Sequence, residues 1–162
     1  MTQLTDSEIE ELISAPKTGA DRLRGGIRWS VKGCHREAQV PAEGADGQQF
    51  RVILRQNLRN ALDFTAMLAY CPPDTSAVFR LTRYNGKHGE HTNHIERNRF
   101  YEFHIHRATE RYQRFGAKED TYAERTTRYA TLSEAIECLI SDCGFEADAS
   151  EQPSLFGPED FQ

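Results

Sequence analysis

The sequence predicts an α+β fold, a curved antiparallel β-sheet with an N-terminal helix and a C-terminal helix packed on one face. Three observations predict it. Two capping boxes, Thr5-Asp6-Ser7-Glu8 and Thr131-Leu132-Ser133-Glu134, open runs with helical apolar spacing near the two ends. Between them, residues Phe50 to Gln56, Asp63 to Tyr70, Val78 to Tyr84 and Arg99 to Arg107 alternate with the period of two that a half-buried strand requires. The connections between these runs are short and rich in Asn, Gly, Pro and Asp, which suits hairpins and not the long crossovers of a parallel sheet.

Taken in order, Leu4 and Ile9 are placed as a hydrophobic staple around the first box, and Ile9, Leu12 and Ile13 repeat at helical spacing until Pro16 stops the helix. Lys17 to Gly26 reads as a loop. Ile27, Trp29 and Val31, then Ala38 and Val40, alternate with polar residues and predict one bent strand or two short ones, with Gly33 at the bend. A turn at Ala42 to Gln48 leads into the four strands above. The last helix turns Leu132, Ile136, Leu139 and Ile140 inward and stops at Gly144.

Length and charge bound the organisation. A chain of 162 residues makes one domain, and its longest uninterrupted apolar stretch, Ala66 to Cys71, is far below the roughly 20 residues of a membrane span. Nothing after Met1 resembles a secretory signal, so a cytoplasmic location and no membrane partner are expected. The net charge is -5, yet five of the 25 acids and none of the 20 bases lie in residues 146–162, so the body is balanced and the tail is acidic. The expected layout is a domain over 1–145 and a disordered interaction segment over 146–162. Cys34, Cys71, Cys138 and Cys143 form no metal or redox motif and read as buried reduced thiols.

Five of the six histidines fall between Val78 and Arg107, inside one strand-loop-strand unit. If residues 100–106 are one strand, Glu102, His104 and His106 share a face and Tyr101, Phe103 and Ile105 take the core face. Three readings of that His face stand side by side. It is a solvated sheet face; or the His-x-His pair ligates a metal with Glu102 or a loop histidine completing the shell; or the imidazoles perform acid-base cleavage of RNA without metal. In the last reading His104, His106, Glu102 and Tyr84 are the catalytic candidates, and Arg83, Arg107 and Arg111 hold phosphate among interleaved aromatics. No second ligand pair at a recognisable spacing is present, so no metal and no cofactor is expected.

A strand ending Arg83-Tyr84-Asn85, a loop with His88, His91 and His94, a strand with paired His104 and His106, and a Ser/Glu-opened final helix resemble the TumE-type proteins, the toxin-side partners of bacterial toxin-antitoxin pairs. The resemblance covers residues 50–145. It departs where Ile105 separates the paired histidines and in the run after His106. It implies a small bacterial domain acting on nucleic acid beside a cognate antitoxin.

Within the tail, Gln152-Pro153-Ser154-Leu155-Phe156 is similar to the bacterial sliding-clamp-binding peptide. Gln152 matches its polar anchor, Ser154 its small polar position, and Leu155 and Phe156 its apolar pair, while Pro153 departs from the commonest residue at a position that tolerates variation and reduces the cost of ordering the segment. The resemblance implies recruitment to the replication clamp. The sequence therefore leaves three functions open: a clamp-recruited protein of replication, repair or mobile-element biology, a toxin-like nuclease, and a binding module without chemistry.

Overall fold

The computed structural model describes residues 2–146. The elements in chain order are α1 (Asp6–Ser14), α2 (Ala20–Gly25), β1 (Ser30–Lys32), β2 (His35–Glu43), β3 (Gln49–Asn57), β4 (Phe64–Cys71), β5 (Phe79–Asn85), β6 (His91–Asn93), β7 (Asn98–Phe100), β8 (His104–Arg107), α3 (Glu110–Arg114), β9 (Ala123–Arg125) and α4 (Leu132–Asp142). Seven strands form one antiparallel sheet in the order β1-β2-β3-β4-β5-β8-β9, and β6 and β7 pair as a separate two-stranded hairpin. The architecture is α+β, as the sequence predicts.

Local chemistry explains most boundaries. Thr5 accepts from the Glu8 amide while the Glu8 carboxylate accepts from the Thr5 amide, which satisfies two otherwise orphaned donors at the start of α1. At α4 only half of the expected box forms: Thr131 accepts from the Glu134 amide, while the Glu134 carboxylate accepts from the Thr131 hydroxyl and the Ala130 amide. Gly33 takes a φ of +62° in the turn between β1 and β2. Pro41 lies within β2, paired with Arg51 of β3 on one side, but β1 reaches only as far as Glu37 on the other, so its missing N–H breaks no ladder.

One face of the sheet carries the core. Ala38, Val40, Val52, Leu54, Phe64, Ala66 and Leu68 of β2 to β4 meet Ile9 and Ile13 of α1, Ala20 and Leu23 of α2, and Leu132, Ile136, Leu139 and Ile140 of α4. Both terminal helices are tied at their carboxyl ends by one side chain. Lys17, 1% exposed, donates from Nζ to the carbonyls of Leu12, Ile13, Ala15 and Cys143 at 2.7–2.8 Å and stands 4.5 Å from the centre of the Phe50 ring. Gly144 closes this junction at φ +75°, where an added Cβ would lie 2.4 Å from the Ala15 carbonyl oxygen.

Several expectations change. The loop expected over Lys17 to Gly26 contains α2, and β9 closes the sheet beyond β8. Arg99 to Arg107 is not one strand: β7 pairs only with β6, and the chain leaves β geometry at residues 101–103 before entering β8. The apolar alternation that suggested a single strand is spread over two sheets. Tyr101, expected in the core, is 63% exposed, whereas Phe103 and Ile105 do pack on it. All four cysteines are free, but only Cys143 is buried, and Cys34 is exposed. Among the described residues no helix is long and apolar enough to cross a membrane. The tail motif, with Gln152, Ser154, Leu155 and Phe156, lies outside the described residues.

Candidate metal centre

Antiparallel register decides which side chains meet. Arg83 pairs with His106 and Asn85 with His104, so these four share the sheet face opposite the helices, while Tyr84 and Ile105 face the core. At Gly86 the chain leaves β5 hard against the turn that enters β4, since a Cβ there would lie 2.0 Å from the Leu62 carbonyl oxygen. Residues 86–103 then form an excursion whose β6–β7 hairpin folds over the face carrying His104 and His106. Asn93 fixes it there, donating from Nδ2 to the Ala123 carbonyl at 2.8 Å and accepting the Ala123 amide at 3.0 Å. Phe100 packs edge-on against His104, 5.5 Å between ring centres.

The result is a cluster of three histidines. The His91 ring stacks on that of His104 at 5.3 Å and meets that of His106 edge-on at 4.8 Å, and the His104 and His106 rings are 4.9 Å apart. One ring nitrogen from each lies within 4.8 Å of those of the other two. Tetrahedral zinc, with Zn–N of about 2.0–2.1 Å, spaces its nitrogens about 3.4 Å apart, so the three rings would draw together by up to about 1.4 Å on binding it.

Hydrogen bonds fix each tautomer. His104 Nδ1–H donates to the Glu102 carbonyl at 2.9 Å and His106 Nδ1–H to the Asp120 carbonyl at 2.8 Å, which leaves an unprotonated Nε2 on each ring. The Asn93 amide is oriented by Ala123, so its Oδ1 can only accept, and His91 donates Nε2–H to it at 2.7 Å and keeps the lone pair on Nδ1. Each imidazole thus has an oxygen acceptor on one nitrogen and a lone pair on the other, the arrangement that orients histidine ligands in metal sites. Burial pushes His104 down to about 4 and His106 down to about 2, helped by the Arg83 cation, and burial lowers His91 as well. At neutral pH all three rings are uncharged, as ligands must be.

The structure places the residues expected from sequence as follows. His104 and His106 are together but buried, 2% and 4% exposed, and not on a wetted face, because the hairpin inserted before β8 covers them. Glu102 lies outside β8 and is exposed, contributing to the cluster only through its carbonyl. Tyr84 is on the opposite face, its hydroxyl donating to Asp142 at 2.6 Å and its pKa raised by burial, so it is remote from the histidines. Of the arginines, Arg83 stands beside the cluster with Nε 3.2 Å from the buried carboxylate of Asp120, which burial pushes up against the pull of Arg83 and Arg80. Arg107 pairs instead with Glu10 of α1 and Arg111 with Glu96, so the three do not converge. His88 is nearby, its ring 6.0 Å from that of His104 and its Nδ1 3.5 Å from the Asp63 carboxylate; His94 is exposed.

Sequence reasoning left the third ligand open between Glu102 and a loop histidine, which the structure resolves to His91, and it missed Asn93. Their signal is present in hindsight: His91 and Asn93 are two residues apart on a short strand and share a face, bracketing Thr92. Beside the cluster, a polar cleft of about 320 Å³ is lined by residues that include Arg55, Thr65, Arg83 and His88. No protein-family model, curated protein or solved structure matches this chain.

Proposed function

We propose that this protein is a metal-dependent hydrolase in which His91, His104 and His106 hold one divalent first-row ion, zinc by the character of the donor set. The observation that carries this reading is the convergence of three imidazoles, each with one nitrogen occupied by an oxygen acceptor and the other unprotonated. Three neutral nitrogen ligands leave a fourth position for water, the pattern of catalytic and not of structural zinc sites. An ion held by these three residues would supply Lewis-acid chemistry, lowering the pKa of a bound water towards 7. Metal-free acid-base chemistry, another of the readings the sequence leaves open, suits these residues less well, since buried imidazoles that resist protonation to about pH 4 and about pH 2 are weak bases.

The experiment is a titration of chelator-stripped protein with Zn²⁺ or Co²⁺. One ion per chain is expected, with affinity reduced by roughly a hundredfold or more in His91→Ala, His104→Ala and His106→Ala, against the roughly 10–100-fold typical of losing only an outer partner. The exposed His94→Ala serves as control and should bind as the parent does. Equal affinity in the parent and all three cluster variants would refute the reading.

A second reading concerns targeting and is compatible with the first. The motif Gln152-Pro153-Ser154-Leu155-Phe156 supports recruitment to a bacterial sliding clamp, and with the TumE-like order of residues it supports nucleic acid as the setting in which the hydrolase acts. Burying Leu155 and Phe156 is worth roughly 1.5–3 kcal/mol each, so Leu155→Ala combined with Phe156→Ala should abolish clamp binding by calorimetry. Binding that survives the double substitution removes this reading.

A further inference from the structure

The geometry points to a phosphate-binding subsite in the cleft beside the histidine cluster, where Arg55 and Arg83 would hold a phosphate ester with one oxygen presented to the metal. The inference rests on the metal reading and extends it to the class of substrate.

Register builds the cleft as a continuation of the centre. Arg55, Thr65, Asn85 and His104 are successive cross-strand partners on β3, β4, β5 and β8, so they form one row on one sheet face, at about 4.8 Å per strand. Arg55 and Thr65 line the cleft, His104 belongs to the cluster, and Asn85 stands between them. Arg83 also lines the cleft and is paired in register with His106. His88 bridges the same gap from the excursion, lining the cleft while its ring lies 6.0 Å from that of His104.

Two features favour an anion here, set against the Asp63 carboxylate that also lines the cleft 3.5 Å from His88 Nδ1. The cluster contains no carboxylate, so a divalent ion bound by three neutral imidazoles would keep its full double charge; the neighbouring Arg83 is partly offset by Asp120, 3.2 Å from its Nε. The Arg55 guanidinium makes no hydrogen bond or ion pair among the described residues, because Glu37 across the strand pair is engaged by Lys32 at 2.7 Å. Asn85, which does not itself line the cleft, is 1% exposed with neither Oδ1 nor Nδ2 partnered; its Nδ2 is a donor suited to a phosphate oxygen, whereas its Oδ1 calls for a donor such as water. A guanidinium pair with planar donor forks matches phosphate oxygens better than a single carboxylate, and the cleft is at the small end of ligand-site volumes, enough for a phosphate and part of its ester group.

The test uses full-length protein loaded with Co²⁺, whose visible absorption reports its ligands, titrated with inorganic phosphate. Phosphate should shift the cobalt bands saturably, and Arg55→Gln should weaken phosphate by about tenfold while leaving Co²⁺ affinity unchanged, since that exposed side chain touches no ligand. Arg83→Lys, which keeps the charge beside Asp120 but loses the planar fork, should weaken phosphate as well. Cobalt that binds but does not respond to phosphate, or an Arg55→Gln protein that responds as the parent does, overturns the subsite and leaves the metal reading standing. Failure of Co²⁺ to bind overturns the metal reading and the subsite with it.

Discussion

Replacing Lys17 by Met tests how the fold holds its two terminal helices together. In the parent, one ammonium serves four carbonyl oxygens, three at the end of α1 and one at the end of α4, all at 2.7–2.8 Å. Methionine keeps the packing of the stem against Phe50 but removes every donor. The bonds to Ile13 and Cys143 are buried, and their acceptors would be left without partners at roughly 1–3 kcal/mol each. Those to Leu12 and Ala15 are only partly buried, so water replaces the donor there at small cost. Some of the loss returns because the buried charge, whose desolvation pushes its pKa down to about 8, is gone. The expected net is about 3 kcal/mol, a large share of the roughly 5–15 kcal/mol that stabilises a domain. With a urea slope of about 1–3 kcal/mol per molar, the midpoint followed by far-UV circular dichroism should fall by roughly 1–3 M with the slope unchanged. A midpoint that does not move would show that the carbonyls find other partners and that Lys17 is not what joins the helices.

Two further expectations separate the site from the scaffold. In metal-free protein His104 and His106 sit at about 4 and about 2 against an ordinary 6.5, so below about pH 6.5 the unfolded chain binds more protons than the folded one. Stability should therefore fall as pH falls, each group contributing a slope that approaches roughly 1.4 kcal/mol per unit, with the His104 share ending near pH 4; urea midpoints at pH 7, 6 and 5 that coincide would contradict the burial. Tyr84→Phe removes the hydroxyl that donates to Asp142 and should cost about 1 kcal/mol in the same assay, with metal affinity and any hydrolytic rate unchanged. A lost rate with intact metal binding would restore Tyr84 as a catalytic candidate.

Residues whose role is settled by near neighbours were legible in the sequence. Thr5 with Glu8 and Thr131 with Glu134 announce both terminal helices because the capping-box pattern is contained within four residues. The strands β3, β4 and β5 were found within a residue or so, because alternation along one strand needs no knowledge of its partner. What failed was the step from strand to surface. Period two places His104 and His106 on one face but does not say what lies over it, and the cover is a hairpin from residues 86–103 that docks through Asn93 on Ala123, a contact between residues 30 apart. Arg107 and Arg111 were read as phosphate ligands for a similar reason. Their carboxylate partners, Glu10 and Glu96, are distant in sequence for the first and hidden by a turn for the second.

The placement of that hairpin between two strands that are neighbours in the sheet has a kinetic consequence. The ladder from β5 to β8 is formed by Thr82–Asn85 and His104–Arg107 without any hydrogen bond from β6 or β7, so breaking the contacts of Asn93, Ile95 and Glu96 with β9 and α3 would free the hairpin without unpairing that ladder. A two-stranded hairpin on its own is marginal in water, and its detachment is among the low-energy local openings of such a molecule. Opening would carry away His91 and uncover His104 and His106 together, turning a three-toothed grip into a two-toothed one. Ion exchange at this centre would then follow the breathing of one small flap, on a timescale independent of how long the whole molecule takes to unfold.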